Sequence, residues 1–301
     1  MDRTLTLDLP PGYRHADALA FHARDGAGVA EQTSAASSPA HPARIRKSVL
    51  LCGIPVLLDI ALHPARADCS VHADSALPAS AMAMAEGALA NMLGLRINPL
   101  PLNALGADDA LLAPLVRARP GLRIMQSASV FEALSWAIIG QQINLSFAIA
   151  LRRTLIVQAG RQHGSGLWCY PEALDVAKLG LEALTSRKFS RAKADTVLRV
   201  ARLIDNGELD LSLPPDQLAQ ELLAIKGIGP WTVNYTLLRG YGDPDCSLHG
   251  DVAIRLALQR LLGEAEKPAI ARTQQILEQY RPHRSMAAAH LWASLRPAAT
   301  D

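Results

Sequence analysis

The chain has 301 residues; half of them are hydrophobic, 19% are charged, and the formal net charge is +2. This small net charge excludes a globally basic signature, so any nucleic-acid-binding surface has to be local. At this length the chain can bury a sizeable core and hold two or three subdomains.

The first part of the chain predicts a small α+β domain over residues 1–95. An alternating strand at Thr4–Leu9 is followed by a short helix at His15–Arg24 and by a Ser-, Ala- and Pro-rich loop at Thr33–Ala43. The remaining predicted elements are strands at Ile45–Cys52, Pro55–His63 and Cys69–His72 and a helix at Ala79–Leu93. This region carries no visible catalytic constellation, so we expect it to support the rest structurally.

The second predicted domain, residues 96–301, is an all-α body whose two lobes flank a cleft. Strand signals nearly vanish after residue 100, and several segments begin with Ser, Asp or Pro and end near Gly. The predicted helices are Asp108–Arg119, Val130–Ile139, Leu145–Ala159, Pro171–Ala177, Leu181–Ser186, Ser190–Asn206, Pro215–Ile225, Pro230–Arg239, Asp251–Leu262, Lys267–Tyr280 and Ser285–Leu295.

The stretch from Leu222 to Asp251, LLAIKGIGPWTVNYTLLRGYGDPDCSLHGD, predicts two short helices joined by a glycine hairpin. Gly227 and Gly229 permit backbone angles that side chains would penalise, and Pro230 suits the first turn of the second helix. Backbone N–H groups at such a turn bind phosphate without a basic side chain. An ordinary turn between two packed helices is the alternative.

This stretch resembles the helix-hairpin-helix DNA glycosylase superfamily, and within it the enzymes for alkylated bases typified by bacterial 3-methyladenine DNA glycosylase II. The resemblance extends upstream over Asp108–Leu145 and downstream over Tyr280–Ala293, so it covers most of residues 100–296 in the expected order.

The resemblance implies that Asp251 is the catalytic carboxylate. A carboxylate in the first turn of a helix is favoured as the anion, although a plain helix-terminal charge is the alternative for an arbitrary aspartate. A fixed carboxylate stabilises the positive charge that builds on the sugar, or acts on the attacking water. Superfamily members that also cut the strand carry a lysine where Trp231 stands. We therefore predict a monofunctional glycosylase that leaves an abasic site.

The resemblance also implies an aromatic base pocket and a loop that enters the duplex. Trp231, Tyr235 and Trp292 are candidate walls for a cationic alkylated purine, with burial in the core as the alternative. Candidate DNA-binding residues are Gly227, Gly229, Thr232, Gln141, Gln142 and Ile143. The side chain that fills the gap left by the extruded base is either Gln142 or Ile143.

Several basic residues could also meet phosphates, although a solvated surface position is the alternative for each. They are Lys188, Arg191, Lys193, Arg281 and Arg284.

A second cluster could be misread as a metal site; it consists of Asp243, Asp245, His249 and Asp251. No second group of metal ligands accompanies it, so we predict no catalytic metal. A monovalent cation held by backbone carbonyls at the hairpin would be structural.

The cysteine pattern bears on cofactors and compartment. Cys52, Cys69, Cys169 and Cys246 are widely spaced without a Cys-x-x-Cys pair, which argues against disulfides and structural zinc and fits a reducing cytosol. Some relatives carry a four-cysteine iron–sulfur loop after the catalytic segment, and no cysteine follows Cys246. We expect no iron–sulfur cluster.

No signal peptide or membrane span is predicted, because the start is polar and the most apolar run, Val49–Leu62, is short and interrupted. We expect a cytoplasmic, nucleoid-associated monomer whose partner is double-stranded DNA containing alkylated bases. Two alternatives stay open: a non-catalytic helix-hairpin-helix module that binds DNA, and a glycosylase for another lesion such as hypoxanthine or uracil.

Overall fold

The computed structural model describes residues 3–38 and 40–296. An antiparallel five-stranded sheet with the strand order β1-β5-β4-β3-β2 occupies the N-terminal part. Its strands are β1 (Arg3–Asp8), β2 (Glu31–Ser34), β3 (Ala43–Leu51), β4 (Ile54–Leu62) and β5 (Arg66–Ala73). Two helices, α1 (His15–His22) and α2 (Ser80–Met92), accompany the sheet.

A tight hairpin joins β3 to β4, the central strand of the sheet. Cys52 and Gly53 connect them, both with positive φ (52° and 74°), as two-residue hairpin turns require. Ile45 on β3 and Leu58 on β4 are fully buried, and they share one hydrophobic core with Leu89 of α2. The alternating apolar residues therefore form the inner face of the sheet.

The edge strand β2 lies partly where the sequence predicts a flexible loop. Its residues, Glu31–Ser34, are polar and lack the apolar alternation that identifies a strand. It forms because Glu31–Ser34 pair with β3 in antiparallel register, from Glu31 opposite Lys47 to Ser34 opposite Arg44. Tertiary pairing therefore determines this strand.

The rest of the chain is helical, which confirms the predicted α+β class with a larger helical body. Its helices are α3 (Leu100–Leu105), α4 (Ala113–Ala118), α5 (Val130–Gly140), α6 (Leu145–Ala159), α7 (Ala173–Ala177), α8 (Leu181–Thr185), α9 (Arg191–Asp205), α10 (Pro215–Ala224), α11 (Pro230–Thr236), α12 (Val252–Leu262), α13 (Ile270–Glu278) and α14 (Arg284–Ser294). The helix α3 is not among the predicted ones. The boundary at residue 95 stays a prediction.

One predicted helix is interrupted. The sequence pattern predicts a helix over Pro230–Arg239, but α11 ends at Thr236 and continues as a wider π-helical turn over Leu237–Tyr241. Gly240 in this turn lies so close to α5 that an added Cβ would stand 3.1 Å from the Cα of Val130. Such wide turns are often found at functional sites, and Arg239 lies on this one.

A buried cluster of charged side chains joins the sheet to the helical body. Arg152 of α6 donates to Glu31 of β2 and to Glu132 of α5, both at 2.7 Å. Lys47 of β3 donates to Glu132 at 2.8 Å, and His22 of α1 lies 2.5 Å from Glu31. These contacts tie β2, β3 and α1 to α5 and α6.

Within the described residues, no helix is long and apolar enough to cross a membrane. The four cysteines are free thiols, and only Cys52 among them is exposed.

Candidate active site

The Asp251 carboxylate lies at the N-terminus of α12, and its placement begins with the helix itself. Asp251 is the N-cap residue, with extended backbone angles, and its Oδ1 accepts from the backbone N–H groups of Ala253 and Ile254 at 2.9 and 3.0 Å. Aspartate is a favoured N-cap because it satisfies N–H groups that have no partner in the first turn. The cap fixes the side chain and favours its anionic form.

Two indole groups complete the environment of this carboxylate. Trp231 of α11 donates from Nε1 to Oδ2 at 2.9 Å, and Trp292 of α14 donates from Nε1 to Oδ1 at 3.1 Å. The carboxylate therefore accepts from four N–H groups contributed by three helices, and it is partly buried. The structure thus brings Asp251 together with two of the three predicted aromatic residues.

The third predicted aromatic residue, Tyr235, lies between the two indoles. The ring centroid of Tyr235 is 5.1 Å from that of Trp231 and 6.3 Å from that of Trp292. These rings, with Trp136 of α5, line a cavity of about 380 Å³ that also holds Asp251. Since the edges of Trp231 and Trp292 hold the carboxylate, their faces are left to form the cavity walls.

Among the cavity residues that sequence reasoning misses are three whose side chains contact its rings: Trp136, Arg24 and Arg239. Trp136 donates from Nε1 to the Tyr235 hydroxyl at 3.0 Å, and its position within the matched segment upstream of the hairpin is a signal that could have identified it. The guanidinium of Arg239 lies 5.4 Å from the Trp292 ring and 5.9 Å from the Tyr235 ring. Arg24 directly follows α1 and is far in sequence from the other residues of the cavity. No local sequence pattern therefore identifies it as a cavity residue.

A groove of about 860 Å³ adjoins the cavity and shares Gly140, Ile143, Trp231, Asp251 and Ala253 with it. The loop between α5 and α6 forms one side, and the glycine hairpin and the start of α12 form the other. All the predicted DNA-binding residues line this groove.

The loop between α5 and α6 is held firmly at its base. Gln141 donates from Nε2 to the Gly227 carbonyl oxygen at 3.0 Å and to the hydroxyl of Thr232 at 2.9 Å, so it links the loop to the hairpin. Thr232 is buried, with 2% of its surface exposed. Gln142 at the tip is exposed and has a φ of 55°, a left-handed conformation uncommon outside glycine.

The two hairpin glycines differ in their backbone angles and in the space around them. Gly227 has a φ of 97°, and an added Cβ would stand 2.4 Å from Oγ1 of Thr196, so only glycine fits. Gly229 has a φ of −112° and a ψ of 176°, which other residues adopt, and no atom lies within 4 Å of its would-be Cβ. The prediction that both glycines need special backbone angles is wrong for Gly229, which faces open space instead.

Three of the five basic candidates for phosphate contact already have partners. Lys193 donates from Nζ to the carbonyl oxygens of Ile138, Ile139 and Gln141 at the end of α5. Burial lowers the pKa of Lys193, as expected for an ammonium withdrawn from water. Arg281 and Arg284 pair with Asp245 and Glu278. Lys188 and Arg191 are exposed.

The aspartate and histidine side chains near Asp251 each interact with a different partner. Asp245 pairs with Arg284 at 2.8 Å, and Nδ1 of His249 lies 2.8 Å from the Ser247 hydroxyl. Asp243 accepts from the backbone N–H of Asp245 at 2.8 Å. Over residues 3–38 and 40–296, no group of three or more His, Cys, Asp or Glu side chains is arranged to hold a metal ion. The hairpin cation stays a prediction.

No family model matches the chain. The chain is 30% identical over 202 residues to a Bacillus subtilis protein described as a DNA-3-methyladenine glycosylase, and the match covers 65% of this chain and 67% of that relative. The chain belongs to the helix-hairpin-helix DNA glycosylase superfamily. This confirms the family predicted from the hairpin segment.

Two further comparisons extend the likeness of this helix-hairpin-helix glycosylase chain over most of its length. DNA-3-methyladenine glycosylase 2 of Escherichia coli is 28% identical over 248 residues, covering 79% of this chain and 80% of that protein. The structure of a 3-methyladenine DNA-glycosylase from Archaeoglobus fulgidus has the same fold, with a TM-score of 0.78 over 96% of this chain and 97% of that chain, at 21% identity. The chain spans 65% of the length of another Bacillus subtilis relative, to which it is 32% identical over 188 residues.

Proposed function

We propose that this protein is a monofunctional DNA glycosylase of base excision repair. It hydrolyses the N-glycosidic bond of alkylated purines of the 3-methyladenine type, swung out of duplex DNA, and leaves an abasic site. The observation that carries the proposal is the Asp251 carboxylate, held by two indoles at the mouth of an aromatic cavity large enough for a purine. The relatives from Bacillus subtilis and Escherichia coli are described as DNA-3-methyladenine glycosylases, which supports the same chemistry.

The proposed reaction follows from where charge develops. As the bond from C1′ to the base breaks, positive charge builds on the sugar, and a preorganised carboxylate close to it lowers the barrier. Because four N–H groups hold Asp251, the carboxylate does not have to reorganise during the reaction. The same oxygens are placed to orient or deprotonate an attacking water. No cofactor enters this scheme, since water is the nucleophile.

Trp231 supports the absence of strand cleavage. A glycosylase that also cuts the strand needs an amine nucleophile at the sugar, and an indole cannot form a Schiff base. At this position the indole instead donates to Asp251. The released product is therefore the free base, and the DNA backbone stays intact.

DNA binding is assigned to the groove beside the cavity. Gly227 and Gly229 present the hairpin backbone to a phosphate, while Gln141 and Thr232 fix the distance between the hairpin and the loop. We assign Gln142 as the side chain that fills the gap in the duplex, because it is exposed at the loop tip, whereas Ile143 also lines the cavity. The enzyme would act as a monomer on genomic DNA in the cytoplasm, at the nucleoid.

Replacing the carboxylate tests the proposal. With duplex DNA treated with a methylating agent, the wild-type protein should release methylated purines, and Asp251→Asn should lower the single-turnover rate by about a thousandfold or more. Binding of an abasic-site duplex should survive, since Asp251 is not needed to hold phosphates. The protein is instead a non-catalytic DNA-binding module if the wild type binds DNA without releasing any base. Undiminished release by Asp251→Asn would refute the assigned catalytic residue.

A further inference from the structure

A small chamber adjoins the aromatic cavity, and Trp292 lines both spaces. The chamber has a volume of about 150 Å³. Arg24 and Arg239 also line both, whereas Asp251 does not line the chamber. The groove assigned to DNA shares no lining residue with the chamber. Neither the reaction at the sugar nor the contact with DNA therefore accounts for this space.

The lining of the chamber is strongly basic. Among the described residues its single acidic member is Asp17, which already pairs with Arg14 at 2.6 Å. The basic members come from four segments of the chain: the ends of α1 and α14, the segment after α4, and the wide turn after α11. They are Arg24, Arg119, Arg123, Arg239 and Arg296. Since like charges repel at short range, an anion between these side chains would stabilise the arrangement.

The Arg239 guanidinium is short of acceptors. One of its terminal nitrogens donates to the carbonyl oxygen of Met125. Its Nε is buried and has no hydrogen-bond partner among the described residues. A buried donor without an acceptor costs free energy, so a ligand that brings acceptor oxygens into the chamber would bind favourably.

The charges of neighbouring arginines also act on one another. Burial lowers the pKa of Arg24 to about 10, and the charge of Arg239 acts in the same direction. Burial lowers the pKa of Arg239 as well, with the charge of Arg296 as a further cause. A bound anion would oppose both shifts, because it favours the charged form of each guanidinium.

We propose that the chamber is a binding site for a tetrahedral oxyanion, with a phosphate group as its ligand. A phosphate group presents oxygens in several directions, so guanidiniums from different segments can each donate to it. Its charge at neutral pH also offsets more than one arginine, which the single charge of a planar carboxylate does not. This inference goes beyond the proposed function and does not depend on it.

Titration of the full chain with inorganic phosphate at constant ionic strength, followed by calorimetry, tests the proposal. The wild type should bind phosphate saturably and acetate at least about tenfold more weakly. Arg239→Gln should weaken phosphate binding about tenfold or more, because a donor to a charged group is lost. Arg296→Gln should weaken it about threefold, since this side chain is exposed and its charge is screened.

Arg272→Gln is the matched control. Arg272 pairs with Glu264 at 2.5 Å and does not line the chamber, so its affinity for phosphate should stay within about twofold of the wild type. Thermal unfolding without phosphate checks that each variant is folded. Arg296→Gln keeps the test valid if Arg239→Gln, which also loses its contact with the Met125 backbone, does not fold.

An abasic-site duplex distinguishes two sources of the phosphate group. If free phosphate is the ligand, a saturating duplex should leave its affinity within about twofold, because the groove and the chamber are lined by different residues. If the DNA backbone supplies the group, the duplex should exclude free phosphate, and both arginine variants should also bind the duplex more weakly. Either result supports the site.

Three results would overturn the inference. The first is a wild type that shows no saturable binding of phosphate. The second is equal affinity for phosphate in the wild type and in both arginine variants, which would place the anion elsewhere, such as at the glycine hairpin. The third is acetate that binds as tightly as phosphate, since the site would then not be one for a tetrahedral oxyanion. None of these measurements follows base release, so the inference and the proposed function fail separately.

Discussion

At residue 251, one carboxylate accepts from four N–H groups, and these differ in what they do. The backbone groups of Ala253 and Ile254 belong to the helix cap, which many helices share. The indole groups of Trp231 and Trp292 come from two other helices and bring the carboxylate to the cavity. Both tryptophans therefore form the cavity wall with their faces and position Asp251 with their edges.

This double role can be separated by substitution with phenylalanine, which keeps a ring but removes the donor. Trp231→Phe and Trp292→Phe should each lower the single-turnover rate about tenfold, the equivalent of one hydrogen bond to a charged group. The double variant should lose less than the product of the two, because both donors act through one carboxylate. Trp168→Phe, away from the cavity, is the matched control and should keep the wild-type rate. Strictly multiplicative losses would mean that the two indoles act independently of each other, which would contradict the shared role at one carboxylate.

Among the structural elements, the hairpin owes its shape to one glycine. Gly227→Ala would combine a left-handed backbone with a contact of 2.4 Å to Thr196, so we expect a loss of about 1–3 kcal/mol in the free energy of unfolding. Gly229→Ala should cost under about 1 kcal/mol, because its angles suit alanine and its Cβ would meet open space. Urea unfolding of the two variants measures this. Equal losses would show that the backbone conformation of Gly227 does not limit the hairpin.

Elements defined by local signals are those that the sequence predicts well. The helices α5, α6 and α9 begin after Ser129, Asn144 and Ser190, whose side chains accept from the first turn as cap residues do. The strand β2 and the wide turn at Leu237–Tyr241 escape prediction, since each depends on pairing or packing with a distant segment. The residues of the candidate active site also differ in whether a local sequence pattern identifies them. Asp251 and the aromatic residues lie in recognisable segments, whereas Arg24 reaches the cavity only through the tertiary fold.

At the scale of the whole molecule, the buried charge cluster decides how the sheet sits on the helices, and thereby where Arg24 lies. Glu31 follows Arg24 by a short segment and is bound to Arg152, while Glu132 is bound to both Arg152 and Lys47. Burial alone would raise the pKa of both glutamates, but the charges of Lys47 and Arg152 prevail and hold the pKa of Glu31 well below its usual value and that of Glu132 below it.

These lowered pKa values make the stability of the molecule sensitive to acid. A carboxyl group with a lower pKa in the folded state contributes stability above its unfolded value, near 4.5, and that contribution is lost as the pH falls through the folded value. Glu132→Gln leaves Lys47 and Arg152 with one carboxylate, so its free energy of unfolding at pH 7 should be about 3–5 kcal/mol lower than that of the wild type. This gap in the free energy of unfolding should narrow as the pH falls below about 4.5.

Urea unfolding of both proteins at several values between pH 7 and pH 3 measures the gap. Glu264→Gln serves as the matched control, since its pair with Arg272 is far more exposed and should contribute under about 1 kcal/mol at pH 7. A gap for Glu132→Gln that stays constant over this range would contradict the assignment, because the lost stability would then come from packing and not from the charge of Glu132. A narrowing gap means that the charge of Glu132, through its pairs with Lys47 and Arg152, contributes the lost stability and ties the sheet to the helices.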